Sequence, residues 1–384
     1  MKKLFNLSHL TAGFTAVLVG YTSSVVIIIQ AATTAGATPV QIESWLLALG
    51  ISMGITSAVY SWFYKTPILT AWSTPGAAML VSSVGQYELN VVIGAFVVTG
   101  LLIFLTGLIT PLSKMLERIP PQLGTAMLGA ILLPICLKGL ETVTNTPMIF
   151  LLMFAGFLLA KNYIPKYVML VLLIIGVMCA VVFGNSDLST VKLSLAEPIW
   201  ITPDFDISAV LNLSVPLYLI TMLSQNLPGV AMMKSYQYNP PVKSLLLGTG
   251  ITNILFAPFG GFSVNLAAIS AAICMTPDVD SDKTQRYRAV LWAGLFYVLA
   301  GIFATTVVTI FLSLPQEITE ILAGFALLGT LLMCLHTAFK DEVYREPALF
   351  TFLITFSGIS FLGLSSTLWG LIVGLLYLRI NISR

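Results

Sequence analysis

The sequence predicts an all-α polytopic membrane protein, and three observations lead there. Of 384 residues, 57% are hydrophobic and 9% charged, against about a quarter charged in soluble domains. Apolar stretches recur along the whole length, joined by short polar connectors that leave no room for a separate soluble domain. The basic residues stand singly at the ends of those stretches. With a net charge of only +2, that scatter also argues against a nucleic-acid partner, which calls for a basic patch.

The first element runs from about residue 10 to 30. Met1, Lys2 and Lys3 ahead of it imitate a signal peptide, but Asn6, Ser8 and His9 intervene and the run is long enough to span. Further segments follow at about 40–62, 68–84, 89–110, 121–138, 147–161, 166–183, 207–227, 242–256, 258–275, 287–312, 318–338, 348–362 and 365–379. Fourteen spans place both termini on one side.

Charge tests that count. With a cytoplasmic N-terminus, 16 of the 18 basic residues lie inside, and only Lys138 and Lys192 lie outside. The positive-inside bias predicts this, and a missing span would scramble every later loop. The longest outside loop, 184–207, carries Asp187, Glu197, Asp204 and Asp206 and divides the chain into two halves of seven. Seven is odd, so halves joined in series lie inverted in the bilayer, as in secondary transporters. The expected organisation is a first repeat over 1–184, a periplasmic linker over 185–206 and a second repeat over 207–384.

The third segment of each half is interrupted: "TPILTAWSTPGAAMLVSSVG" in one, "FAPFGGFSVNLAAISAAICM" in the other. Their expected helical parts, Ser73–Val84 and Ser263–Met275, would each be about 18 Å long, too short for a core of about 30 Å. Non-helical backbone at that depth must be buried in protein or line a cavity. The stretches Pro67–Ala71 and Ala257–Phe262 are therefore expected to meet as short antiparallel strands. Each half-helix then starts at the bilayer centre, its N-terminus favouring an anion.

Candidate binding residues cluster at these breaks: Trp72, Ser73, Thr74 and Gly76 in one, Gly261, Phe262, Ser263 and Asn265 in the other. Asn265, expected in the first turn of the second half-helix, either reaches the site or ties the break together. Equivalent first segments add Tyr21 and Ser24, and Gln225 and Asn226. Hydroxyls bond readily to their own helix, whereas a Gln-Asn pair needs partners. Trp72, Phe259 and Phe262 suit a flat aromatic ligand.

Absences narrow the chemistry. All 16 acidic residues fall in loops or at span ends, and of the two histidines only His336 lies near a span interior, toward the cytoplasmic end. Without buried carboxylates the site repels no anion, so a small organic anion fits best. A proton would travel on the substrate or through His336 and water. Intramembrane enzymes need a nucleophile with a base, or metal-binding acids and histidines. The four cysteines are isolated in apolar segments, so no metal or cofactor is expected.

The motifs "GYTSS", "ATPVQIESWLLALG", "PILTAWSTPGAA", "SQNLPGVA", "APFGGFSVNLAAISAAICM" and "LWGLIVG" resemble the BenE-type benzoate:proton symporter family over about Ala12 to Leu375. That family is similar to nucleobase, ascorbate and sulfate transporters with a seven-plus-seven inverted repeat. The resemblance implies a core domain (1–110 and 207–312), a gate domain (111–184 and 313–384) and a homodimer through the gates. It also implies proton-coupled import of benzoate or a similar aromatic carboxylate across the bacterial inner membrane. One departure is that nucleobase carriers of this architecture place acidic residues in spans 8 and 10, where this chain has Gln225, Asn226 and Val264. The alternatives are a transporter or channel for another small organic anion and, more distantly, an intramembrane enzyme.

Overall fold

The structure is a computed structural model that describes residues 6–109, 111, 119–183 and 193–382. Lys2, Lys3, Lys114, Glu117, Arg118, Asp187, Lys192 and Arg384, and the expected boundaries at 110 and 184, lie outside the described residues. It is a mostly helical polytopic membrane protein, with a helix in each of the fourteen expected stretches. Among the described residues, eight helices are long and apolar enough to cross a membrane, or nine if one bent pair is a single span.

The first helix breaks into α1 (Leu7–Thr22) and α2 (Val25–Thr34) at Ser23 and Ser24. Ser23, Ser24 and Thr22 all donate their hydroxyls to carbonyls of the preceding turn, the back-bonding that bends helices. Then come α3 (Pro39–Tyr64), strand β1 (Thr70–Trp72), α4 (Thr74–Ser83) and α5 (Leu89–Leu108). The first half closes with α6 (Pro121–Glu141), α7 (Pro147–Tyr163) and α8 (Val168–Val182).

In the second half, α9 (Ile207–Ser235) runs well past the expected end at 227. A π-helical turn, Met222–Asn226, immediately precedes Pro228. The widened turn re-registers the backbone, with Leu227 N–H reaching back to the Met222 carbonyl, so proline continues the helix instead of ending it. After α10 (Val242–Phe256) come strand β2 (Val264–Leu266) and α11 (Ile269–Ile273). The eleventh segment is a pair, α12 (Tyr287–Ile302) and α13 (Ala304–Ser313), bent by 60°. The last helices are α14 (Gln316–Phe339), α15 (Glu342–Ser357) and α16 (Ser366–Ile382). Helix α15 begins six residues before the expected 348, because Glu342, Arg345 and Glu346 give it an exposed, charged start that the apolar run does not include.

Two helix groups recur in the packing. One contains α1–α5 and α9–α13, with α3 lying along α12, α5 along α10, and α1 against α12. The other contains α6–α8 and α14–α16, centred on α6 against α14. The α3–α12 crossing depends on small residues, since a Cβ added to Gly50 would lie 2.6 Å from the Gly301 Cα. Backbones brought this close gain dispersion contact that bulkier side chains forbid.

Strands β1 and β2 pair antiparallel deep inside the first group, with Thr70 opposite Leu266, Ala71 opposite Asn265 and Trp72 opposite Val264. A two-stranded sheet has two open edges, and side chains of neighbouring helices close both. On β1, Ser57 Oγ of α3 accepts from Thr70 N–H at 2.9 Å and Ser61 Oγ accepts from Ile68 N–H at 3.0 Å. On β2, the Asn253 amide of α10 accepts from Val264 N–H at 2.7 Å and donates to its carbonyl at 3.0 Å. Asn226 Oδ1 of α9 accepts from Leu266 N–H at 3.0 Å.

The second interruption differs from the expectation. Ala257–Phe259 prolong α10 as a 3₁₀ turn that Gly260 ends at φ +89, so the extended backbone falls at Val264–Leu266 and not at Ala257–Phe262. Helix α11 starts at Ile269 and holds five residues, not thirteen. Asn253 and Asn226 explain the shift, because their amides supply the bonds that fix Val264 and Leu266 as strand.

Replacing Asn253 by Ala strands a buried N–H and carbonyl of β2 and is expected to destabilise the protein by about 2–5 kcal/mol. Thr252→Ala, which removes only a hydroxyl bonded to Gly248 of its own helix, should cost far less. Denaturation of the purified protein in detergent measures both; equal losses would contradict the edge-closing role.

Candidate functional site

Helix α4 begins the way a helix should when its end is buried. Ser73 caps it, its Oγ accepting from Gly76 N–H at 3.0 Å, and Ala77 N–H bonds the Ser73 carbonyl at 2.8 Å. Pro75 has no N–H to leave unpaired. The first turn therefore offers one free backbone donor, the N–H of Thr74, at the positive end of the helix dipole. Gly76 serves packing here: a Cβ would come 2.7 Å from Leu217 Cδ1 of α9.

Three of the expected residues meet directly beside that turn. The Trp72 indole N–H donates to Ser24 Oγ at 2.7 Å, and the Tyr21 and Trp72 rings lie 5.0 Å apart at 49°. The broken α1–α2 helix and strand β1 thus share an aromatic pair whose upper edge is tied by a hydroxyl. Tyr21 is buried, yet its OH has no partner.

Across the sheet, Val264 is paired with Trp72 and Asn265 with Ala71, so Ser263 adjoins the end of the sheet where α4 begins, and Asn265 lies on the face opposite to Trp72. Ser263 adopts φ +44, a left-handed conformation unusual for a residue with a side chain, and its buried Oγ has no partner. Asn265 is fully buried; its Nδ2 donates to the Ser263 carbonyl at 2.7 Å while Oδ1 is unsatisfied. Asn265 lies in strand β2, not in a helical first turn. Unpaired polar atoms in so apolar a setting cost about 1–3 kcal/mol each, and they mark where a ligand or water completes the bonding.

The Gln-Asn pair divides its labour. Asn226 is buried and structural, bonded to Leu266 N–H and to Met222 Sδ. Gln225 is half-buried on the π-helical turn, and its amide makes no hydrogen bond among the described residues.

Two expected residues are not brought into this group. Phe262 is fully buried in a cluster with Phe96 at 5.2 Å and Trp45 at 6.0 Å. Gly261 donates its N–H to the Phe256 carbonyl at 2.9 Å and belongs to the turn leaving α10. The displaced start of β2 turns Phe262 toward α3 and α5. Conversely, Ser57, Ser61 and Asn253 frame the site and were not foreseen. His336 is exposed on α14.

A cavity of about 500 Å³ lies between the two helix groups, lined among others by Gln30 of α2, Ser82 of α4, Lys138 of α6, Phe311 of α13 and Glu320 of α14. Among the described residues no group of acids, histidines and cysteines is arranged to hold a metal ion. Chemically the site offers hydroxyl, amide and backbone donors around an aromatic pair.

The family model described as benzoate membrane transport protein matches residues 3–380. The inner membrane protein YdcO of Escherichia coli is 42% identical over 95% of this chain and 93% of its own length. The benzoate membrane transport protein of Acinetobacter baylyi is 37% identical over 98% and 95%. Among solved structures, the transmembrane domain of the cyanobacterial bicarbonate transporter BicA aligns with a TM-score of 0.63 at 14% identity over 96% of both chains. SLC26A9 aligns with a TM-score of 0.67 at 12% identity, over 98% of this chain and 65% of that one.

Ser73→Ala removes the cap of α4 and is expected to cost about 1 kcal/mol, whereas Ser73→Asn, another good capping residue, should cost little. Melting temperatures of the two variants test this, and an equal drop would show that the hydroxyl matters for something other than capping.

Proposed function

The chain belongs to the benzoate membrane transport protein family, a family of transporters and not of enzymes, and from that premise we propose that it imports benzoate or a similar small aromatic carboxylate together with protons. The observation that carries the site is the aromatic pair Tyr21–Trp72 set beside an unpaired set of polar groups. The carboxylate is proposed to sit at the start of α4, taking the Thr74 N–H and the hydroxyls of Ser263 and Tyr21. Its ring lies against Trp72, and the unbonded Gln225 amide fixes its orientation. Phe262, packed against Trp45 and Phe96, holds the scaffold and does not contact substrate.

We further propose the fourteen-span, seven-plus-seven inverted repeat in the inner membrane with both termini cytoplasmic. The packing supports it: an inverted repeat pairs span 2 with span 11 and span 9 with span 4, and α3 lies on α12 as α10 lies on α5. The same relation has span 2 closing β1 through Ser57 and span 9 closing β2 through Asn253. The helix group around the sheet is the core, the α6–α14 group is the gate, and the cavity between them is the outward vestibule. Transport is motion of core against gate, and the gate helices are the proposed homodimer contact.

Uptake of radiolabelled benzoate into proteoliposomes tests the proposal, with a pH gradient and a voltage imposed separately. Saturable accumulation driven by an acidic exterior is expected. No saturable uptake under either gradient would overturn the benzoate reading, and uptake that needs sodium and ignores pH would overturn the proton coupling. In the same assay Gln225→Ala is expected to raise KM about tenfold, the loss of one hydrogen bond to a charged group, with an unchanged melting temperature.

A further inference from the structure

The proposed site holds no carboxylate, so a proton that does not travel on the substrate itself needs another group to carry it. We propose that the proton is carried by His9 and Asp280, a pair buried at the cytoplasmic end of the core group. This rests on the proposed proton symport and locates its proton.

His9, in the first turn of α1, is 1% exposed, and its Nε2 lies 2.9 Å from Asp280 Oδ2. Asp280 belongs to the loop that follows α11, and its side chain is 19% exposed. It is the one ion pair with a buried member among the described residues; Arg345 and Glu342 form the other, and both are exposed. The second ring nitrogen of His9, Nδ1, is buried with no partner. A neutral imidazole that donates from Nε2 to Asp280 leaves Nδ1 as a bare acceptor, the atom at which a proton adds.

The surroundings hold the pair in place. Asp280 Oδ1 accepts from Asp282 N–H at 2.9 Å. Arg286, itself buried, donates to the Asp280 carbonyl at 2.8 Å and to the Met275 carbonyl at 2.7 Å. The loop also carries Asp278, Asp282 and Lys283, and α12, packed on α1, opens with Tyr287 and Arg288. Hydrogen bonds from the Thr284 side chain and N–H hold the Asp282 carboxyl below its usual range, so it stays ionised. Lys283 donates to the Gln237 carbonyl. Among the described residues of this cluster, His9 is the one with a buried ring nitrogen left open to take a proton.

The pair joins the two elements that lead to the site. Helix α1 runs from His9 to the break at Ser23 and Ser24, about 21 Å at 1.5 Å per residue, and ends at Tyr21 against Trp72. Helix α11 runs from the far end of β2 to the Asp280 loop. Protonating His9 turns its hydrogen bond to the Asp280 carboxylate into a full ion pair, which tightens α1 against that loop. Substrate binding, which orders the other ends of the same elements, is then linked to proton binding.

Two measurements test this. In proteoliposomes, His9→Gln and Asp280→Asn are expected to keep benzoate exchange between equal pools, which moves no net proton, and to lose accumulation driven by a pH gradient. Either variant accumulating benzoate like the unmodified protein would overturn the proposal, while absence of pH-driven uptake in the unmodified protein would overturn the symport reading itself. Loss of both activities would leave the decision to a measurement on the native pair. His336→Gln leaves His9 as the only histidine, and its ring nitrogens are followed by ¹⁵N NMR at fixed pH near neutrality. Saturating benzoate is expected to shift the signal toward the protonated form; an unmoved signal would overturn the proposal.

Discussion

A backbone N–H or carbonyl inside a membrane has no water to bond, and this constraint organises the molecule around six residues of strand. Each unsatisfied group there costs several kcal/mol, so the sheet made by β1 and β2 exists only because other helices close its edges. Ser57 and Ser61 do so on one side, and Asn253 and Asn226 on the other. Satisfying the strands fixes the relative positions of α3, α9 and α10. Those helices in turn place the capped start of α4, the indole of Trp72 and the strained Ser263 within one small region. In the proposed site, substrate meets polar groups that remain unpaired among the described residues, Tyr21 OH and Ser263 Oγ.

The two interruptions are not equivalent, although the sequence makes them look so. Helix α4 has a serine cap, a proline where the backbone donor would be wasted, and ten residues of helix behind it. Helix α11 has five residues and no side-chain cap, so its dipole is weak and its end is held by strand bonds instead. In the proposed site the anion is therefore attracted chiefly by α4, and the second half is proposed to supply shape and hydrogen-bonding groups through Ser263 and Asn265. Two helix ends converging on one anion is too symmetric a description of this site.

Much of the architecture was legible. Long apolar runs located the helices, and "TAWSTPG" announced both the break and the cap, because Ser, Pro and Gly have position-specific backbone roles. The second break was misplaced because "APFGG" reads as extended when taken alone, while the actual strand is fixed by Asn253, eleven residues upstream, and Asn226, forty residues upstream. Such side-chain-to-backbone closure leaves no periodic trace. An asparagine inside the apolar run "TGITNILF" was the available signal. The pairing of His9 with Asp280 spans 271 residues and was equally invisible; His9 read as a polar leader to the first helix. Phe262 looked like a ligand-facing aromatic because it neighbours the break, but the turn at Gly260 carries it to Trp45.

The central claim is that the closed sheet positions a carboxylate at the start of α4 with its ring against Trp72. The most direct measurement is an experimental structure with 4-iodobenzoate, in which the anomalous signal of iodine locates the ring independently of the protein density. The account predicts one iodine peak beside the Tyr21–Trp72 pair, with the carboxylate toward Thr74. A peak confined to the cavity near Lys138 and Glu320, with nothing beside Trp72, would contradict it.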